Sequence, residues 1–356
     1  MSGSELDRLR EQIDQINERI LESLNERATL ARAIGTLKVG QAYRPEREAQ
    51  VLRRIKERNQ GPLSDETVAL LFREIMSACL AIERPITVAY LGPKGTFSET
   101  AAMKHFGHAG VGTPTPSIDE VYRKVQSGEA DFGVVPVENS TEGAVGRSLD
   151  LMPNTPLKVC GEVLIPIHHQ LMSKGAKDLA TIPRVFSHSQ SLAQCHEWLN
   201  NNLPKAERIA VASNAEAARR AADEPGTAAV AGDAAAAHYG VQIHASNIED
   251  EPNNTTRFLV LGSYEPAPSG RDKTSLVLSA KNRAGAVYEM LTPFATRGVS
   301  MTKFESRPSR AALWDYLFFV DIEGHRDDPH VAEALAEVER IAGYMKVLGS
   351  YPMAVR

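Results

Sequence analysis
The stretch ERPITVAYLGPKGTFSE, residues 83–99, is where the chain changes its architecture. Beyond Pro85, ITVAYLG reads as a short buried strand that runs into a Gly-rich turn and a helix. Before it, everything reads as helix. Ser64 with Thr67 opens one that ends near Glu83, and Pro45 starts a shorter one over EREAQVLRRIKER that stops at Gly61-Pro62. Earlier still, Leu6, Leu9, Ile13, Ile16, Ile20 and Leu24 fall at spacings of three and four, the period of one long amphipathic helix. A helix of about 30 residues is about 45 Å long, and an isolated three-helix unit cannot cover its apolar stripe. An all-α domain over 1–85 that dimerises is therefore expected.

Working forward, strands at FGVVPV, KVCGEVLIPI and LVLG alternate with helical stretches, which predicts an α/β domain over 86–263 long enough for two lobes with a cleft. SYEPAPSGRD (263–272) reads as a linker. The remainder, 274–356, runs β-α-β-β-α-β, a ferredoxin-like α+β arrangement. The chain is thus multidomain.

Composition narrows the function classes. Forty basic and 45 acidic residues leave a net charge of −5, so no global field favours nucleic acid. The three cysteines, widely spaced, suit neither a disulfide framework nor a zinc site. No apolar run is long enough for a bilayer, and MSGSELDRLREQ is charged where a signal peptide is apolar. A cytoplasmic protein acting on small molecules, without a membrane partner, is expected.

Candidate site residues lie in all three segments. Arg27 and Lys38 fall within roughly 20° of each other around the first helix, while Arg10 lies about 100° away and is placed to enter a neighbouring subunit's site. Arg47 and Glu48 open the second helix; Cys79 and Glu83 stand one turn apart on the third. In the α/β segment four polar clusters sit at strand ends, where open α/β sheets bind ligands. They are GPKGTFSE (92–99), PVENSTEG (136–143), SHSQS (187–191) and NNTTRF (253–258). The first lacks the spacing of a nucleotide loop but feeds a helix whose amino-terminal N–H groups suit an anion. His168, His169 and His188 show no metal-ligand spacing.

The first 84 residues resemble the all-helical chorismate mutase domain of bifunctional enzymes of phenylalanine synthesis. The resemblance implies an intertwined dimer in which Arg27 and Arg47 of one chain and Arg10 of the other hold the carboxylates of chorismate. Lys38 and Glu83 would flank the ether oxygen, Glu48 would take the ring hydroxyl, and Cys79 would add a weak donor. The α/β motifs, with Thr256-Arg257-Phe258 as a TRF signature, resemble prephenate dehydratase. That implies a two-lobed fold like the type II periplasmic binding proteins, with prephenate held by Thr96, Ser98, Asn139, Ser140, Thr141, Ser187, Gln190, Thr256 and Arg257. Thr256 would assist departure of the ring hydroxyl, and Arg257 would offer its charge to a carboxylate. The third segment, with FESRPS (304–309) and NRAGAVYEML (282–291), resembles the ACT regulatory domain. That implies a phenylalanine site built from Asn282, Gly285, Ala286, Glu305, Ser306 and Arg307 between paired subunits.

The resulting expectation is a cofactor-free enzyme, isomerase and lyase in one chain and a homodimer or larger, that makes prephenate and then phenylpyruvate under feedback by phenylalanine. The alternative is a two-lobed solute-binding or amino-acid-sensing protein whose helical segment only dimerises. An ordered set of cations in the helical segment separates the two.

Overall fold
The computed structural model describes residues 2–37, 43–175, 178–281, 283–309 and 316–354. Lys38 and Asn282 lie outside the described residues. The chain opens with helices α1 (Ser2–Leu37), α2 (Pro45–Arg58) and α3 (Asp65–Glu83). Pro45 occupies the first turn of α2, and the Ser64 hydroxyl caps α3 by accepting from the Thr67 N–H at 3.2 Å. Both α1 and α2 pack on α3. Along α1, Leu6, Leu9, Ile13, Ile16, Ile20 and Ile34 remain about half exposed, so the stripe read from the periodicity is left uncovered by the described residues of the chain.

There follow β1 (Thr87–Leu91), α4 (Phe97–Phe106), β2 (Val111–Thr115), α5 (Ile118–Gln126), β3 (Phe132–Asn139), β4 (Gly143–Ala144), α6 (Gly146–Leu151) and β5 (Lys158–Pro166). The chain then crosses to a second lobe made of β6 (Gln170–Ser173), β7 (Arg184–His188), α7 (Ser189–Gln194), α8 (His196–Asn202), β8 (Glu207–Val211), α9 (Asn214–Asp223), β9 (Ala228–Ala231), α10 (Asp233–Tyr239) and β10 (Gln242–Ala245). It returns through β11 (Thr255–Gly262), which inserts antiparallel between β3 and β5. The first-lobe sheet has the order β2-β1-β3-β11-β5 and the second β10-β6-β9-β7-β8. Two crossings of the chain between lobes leave a cleft at their junction.

The last segment is β12 (Asp272–Ser279), α11 (Ala286–Thr296), β13 (Met301–Pro308), β14 (Tyr316–Glu323), α12 (Pro329–Ile341) and β15 (Tyr344–Pro352), in one antiparallel sheet of order β13-β14-β12-β15. Strand alternation divides its side chains between two cores. Leu276, Leu278, Val320 and Ile322 pack under α11 and α12. Val277, Phe319, Leu348 and Tyr351 point the other way and share a core with Val135, Val159 and Leu259 of the first lobe.

The 263–272 segment is not a free tether. Tyr264 donates to Glu46 of α2 (2.7 Å), the Pro266 carbonyl lies 3.0 Å from His325 Nε2, and Arg53 donates to the Ser269 carbonyl. Proline and glycine there fix a path over the surface rather than loosen it.

Candidate active sites
The cleft between the two lobes encloses about 950 Å³. The turn after β1 forms one wall. Gly95 has φ +83°, and a Cβ there would sit 2.9 Å from the Ala235 backbone of the second lobe, so only glycine permits this approach. Thr96 caps α4, accepting from the Glu99 N–H (3.4 Å) and donating to the Leu91 carbonyl (3.0 Å). Opposite, α9 begins at a capping pair in which Ser213 accepts from the Glu216 N–H at 3.1 Å. The amino ends of α4 and α9, and those of the shorter α7 and α10, all border the cleft. Their N–H groups and the positive ends of their dipoles favour negative charge there.

At its floor lie Thr256 and Asn139, paired across β11 and β3. Asn139 Nδ2 donates to Thr256 Oγ1 (2.9 Å) and to Asn254 Oδ1 (2.7 Å). Asn139 Oδ1 in turn accepts from the Thr141 hydroxyl (2.7 Å) and the N–H groups of Thr141 and Glu142. These contacts fix the amide's orientation. Because Thr256 Oγ1 accepts from Asn139, its own proton is left to donate into the cleft.

The sequence-chosen residues separate on this geometry. Thr96, Ser98, Asn139, Gln190 and Thr256 line the cleft together. Thr141 reaches it only through Asn139. Ser140 instead closes a turn, with Oγ accepting from the Thr255 N–H at 2.9 Å. Ser187 is fully buried, its hydroxyl 2.7 Å from the Val230 carbonyl and 3.0 Å from Asn214 Oδ1, so it supports the cleft wall from behind. Arg257 requires a correction. As the neighbour of Thr256 on a strand it projects to the opposite face, where it is held by Glu162, Asp321 and Tyr351. It offers no charge to a ligand in the cleft. Sequence reasoning missed Ser213, Asn214, Tyr239 and Lys94, which do line it. The run Ser213-Asn214-Ala215-Glu216 carried the signal, a Ser-x-x-Glu capping box matching Thr96-x-x-Glu99.

In the helical segment, Arg27 is half-buried and its Nη1 is buried without a hydrogen-bond partner among the described residues. A Cβ at Gly35 would meet the Glu83 side chain at 2.5 Å, so α1 and α3 touch closely where Glu83 projects. Cys79 is buried on α3. Arg10 is exposed beside Asp7 at 3.5 Å. Seventeen residues of helix put it about 25 Å from Arg27, beyond any shared ligand within one chain. Arg47 is exposed, while Glu48 lies about 100° round the same helix and turns the other way, toward Arg73 (3.4 Å).

That turn places Glu48 beside Tyr43 and His105 at a cavity of about 530 Å³ where all three segments meet. Burial lifts the Glu48 carboxyl to about 7, against the partial opposition of Arg73, and burial drives the His105 imidazole down to about 3. A carboxyl raised on folding holds its proton in the native state after the unfolded chain has released it. Stability is therefore lost as pH rises from the ordinary carboxylate range through about 7. Glu48→Gln is expected to raise the melting temperature at pH about 8 and to leave it unchanged at pH about 4. An unchanged or lower melting temperature at the alkaline pH would contradict a buried, proton-holding Glu48.

In the third segment β13 turns Lys303, Glu305 and Arg307 toward the first lobe. Arg307 Nη2 lies 3.3 Å from Asp150 Oδ1, and Lys303 Nζ 3.0 Å from Glu138. Gly285, with φ +80°, and Ala286 open α11 on the opposite face of the sheet, and Ser306 shares that side. The single chain thus splits the expected phenylalanine-site residues between two faces.

Comparison with known proteins bears on each segment. Family models match as chorismate mutase type II over residues 9–84, prephenate dehydratase over 88–266 and ACT domain over 274–340. The bifunctional chorismate mutase/prephenate dehydratase of Neisseria gonorrhoeae is 58% identical over 97% of this chain and 96% of its own. That of Pseudomonas aeruginosa is 49% identical over 99% and 98%. Among solved structures, the prephenate dehydratase of Arthrobacter aurescens in complex with L-Phe superposes with a TM-score of 0.70 at 36% identity, covering 75% of this chain and 90% of that one. With all three segments accounted for at this identity, the chain belongs to the family of bifunctional chorismate mutase/prephenate dehydratases, enzymes that rearrange chorismate to prephenate and convert prephenate to phenylpyruvate.

Proposed function
We propose that residues 1–85 carry the mutase, 86–263 the dehydratase and 274–356 the regulatory ACT module, working without a cofactor in the cytoplasm. The observation that carries the dehydratase reading is the Asn139–Thr256 pair on the floor of the cleft. Hydroxide leaves prephenate poorly unless it is protonated as it goes. Thr256 donates its free proton toward the departing oxygen, while the ring carboxylate leaves as carbon dioxide and its bonding pair restores aromaticity. One proton is consumed, and water, carbon dioxide and phenylpyruvate result. The hydroxyl relays that proton rather than acting as a strong acid by itself. Helix amino ends, with Ser98 and Gln190, hold the carboxylates in place of Arg257.

In the mutase the reaction is unimolecular, so the protein needs only to hold a compact conformer and stabilise charge on the ether oxygen. Arg27 and Arg47 take the carboxylates of chorismate, Lys38 and Glu83 flank the ether, and Cys79 adds a weak donor. The separation of Arg10 from Arg27 and the exposed stripe of α1 support a homodimer in which the partner's α1 covers the stripe and its Arg10 completes the site. Sedimentation is expected to give twice the chain mass. A monomer at micromolar concentration would remove Arg10 from the site. Phenylalanine binding at the ACT module, with Gly285 and Ala286 of one chain facing a second, is the proposed control.

The test is direct. Purified protein fed chorismate should release phenylpyruvate, and added phenylalanine should slow that release. Failure to consume chorismate would reject the mutase assignment, and accumulation of prephenate would reject the dehydratase assignment.

A further inference from the structure
Two neighbouring polar side chains on β11 have opposite destinations. Thr256 enters the cleft, while Arg257 leaves through the other face and is only 9% exposed. Its Nε donates to Glu162 (2.9 Å), its Nη2 to the Tyr351 hydroxyl (2.9 Å) and its Nη1 to Asp321 (2.5 Å). Asp321 and Tyr351 belong to β14 and β15 of the ACT sheet. The Ser275 hydroxyl of β12 lies 2.5 Å from Asp321 Oδ1 and 2.6 Å from Tyr351 Oη, binding the two together. Lys273, also on β12, closes the group from the other side through Glu162 at 2.9 Å. Every nitrogen of the guanidinium therefore has a partner, the ACT module supplies two of the three hydrogen-bond acceptors, and Glu138 of β3 adds a longer ion pair to Nη1 at 3.7 Å.

The pairing of β11 with β3 places Thr256 opposite Asn139 and Arg257 opposite Glu138, and the register shifts immediately after Arg257. On its other edge β11 pairs with β5 in unbroken register from Thr255 to Val260, so the irregularity at that point is confined to the β3 edge. Beside that ladder, the buried charge cluster ties Arg257 through its side chain to the ACT sheet.

We propose that Arg257 is a positioning residue: by fastening β11 to Asp321 and Tyr351 of the ACT sheet, it sets where the Thr256 hydroxyl stands and ties dehydratase turnover to the docking of the regulatory module. A shift of the ACT sheet against the first lobe moves Asp321 and Tyr351, and the guanidinium carries that displacement one residue along the strand to Thr256. The inference rests on the reading of Thr256 given above.

The test uses the full chain supplied with prephenate, with kcat and KM measured separately. Asp321→Asn keeps the shape and deletes the charge, and is expected to lower kcat roughly tenfold with KM within about twofold of the parent. Tyr351→Phe keeps the buried ring, deletes one acceptor and should show a smaller loss of the same kind. Both should retain the parent's mutase rate and respond less to phenylalanine. A fall in kcat that exceeds any rise in KM supports the proposal. Unchanged kcat, or a rise in KM that matches or exceeds the fall in kcat, overturns it. If Asp321→Asn does not fold, Tyr351→Phe decides by the same criterion. Thr256→Val measured alongside separates the two levels. If it keeps full turnover, the reading of the site fails; if it is inactive while both ACT-side variants are normal, only the coupling fails.

Discussion

Thr256→Val is expected to reduce dehydratase turnover by roughly a thousandfold while leaving the mutase rate intact. Valine has nearly the shape of threonine without the hydroxyl, so the substitution removes the proton offered to the cleft together with one of the two acceptors of Asn139 Nδ2. Asn139 would keep its bonds to Asn254, Thr141 and Glu142, and the floor of the cleft would be preserved. What disappears is a donor whose oxygen already accepts from Asn139 and whose hydrogen is left for the cleft. A loss mainly in kcat would show that the hydroxyl acts on the departing group. Near-normal turnover in a folded protein would move the proton source elsewhere, with Glu142, whose N–H donates to Asn139 from the turn after β3, the next carboxyl to test.

Arg27→Ala is expected to lower mutase kcat/KM by roughly a thousandfold with dehydratase activity retained, since losing a charged hydrogen-bond partner of a bound carboxylate costs a few kcal/mol. The structural reason is its Nη1, buried without a hydrogen-bond partner among the described residues. A buried donor without an acceptor is a liability in a folded protein. Removing it should therefore leave the melting temperature unchanged or slightly higher even as activity collapses. A matched loss of stability and activity would mean that Arg27 holds the helices together rather than the substrate.

The parts of this fold that sequence alone conveys are those in which one face is wet. The stripe from Leu6 to Ile34 has helical spacing because the opposite face of α1 is polar, and the β-α-β-β-α-β order survives because turns and helices punctuate it. Thr96 and Ser98 were legible as a helix start, and Asn139 and Thr256 as polar residues at strand ends. Arg257 was not legible. Seven of the eight residues of β11 are buried, so no alternation of polar and apolar residues says which neighbour faces the cleft. For the same reason Val277, Phe319 and Leu348 look like ordinary sheet residues, and nothing local reveals that they join the core of another segment. The 263–272 segment misled for a different cause. Its composition is that of a linker, but its anchors, Glu46, Arg53 and His325, are distant in sequence.

The independence of the two active centres can be tested in one vessel. Arg27→Ala and Thr256→Val proteins, each alone, should fail to carry chorismate through to phenylpyruvate. Mixed in equal amounts they should restore the conversion, because prephenate made by one protein is free to reach the cleft of the other. A mixture that stays inactive while each protein keeps its remaining single activity would contradict two separable sites in this chain.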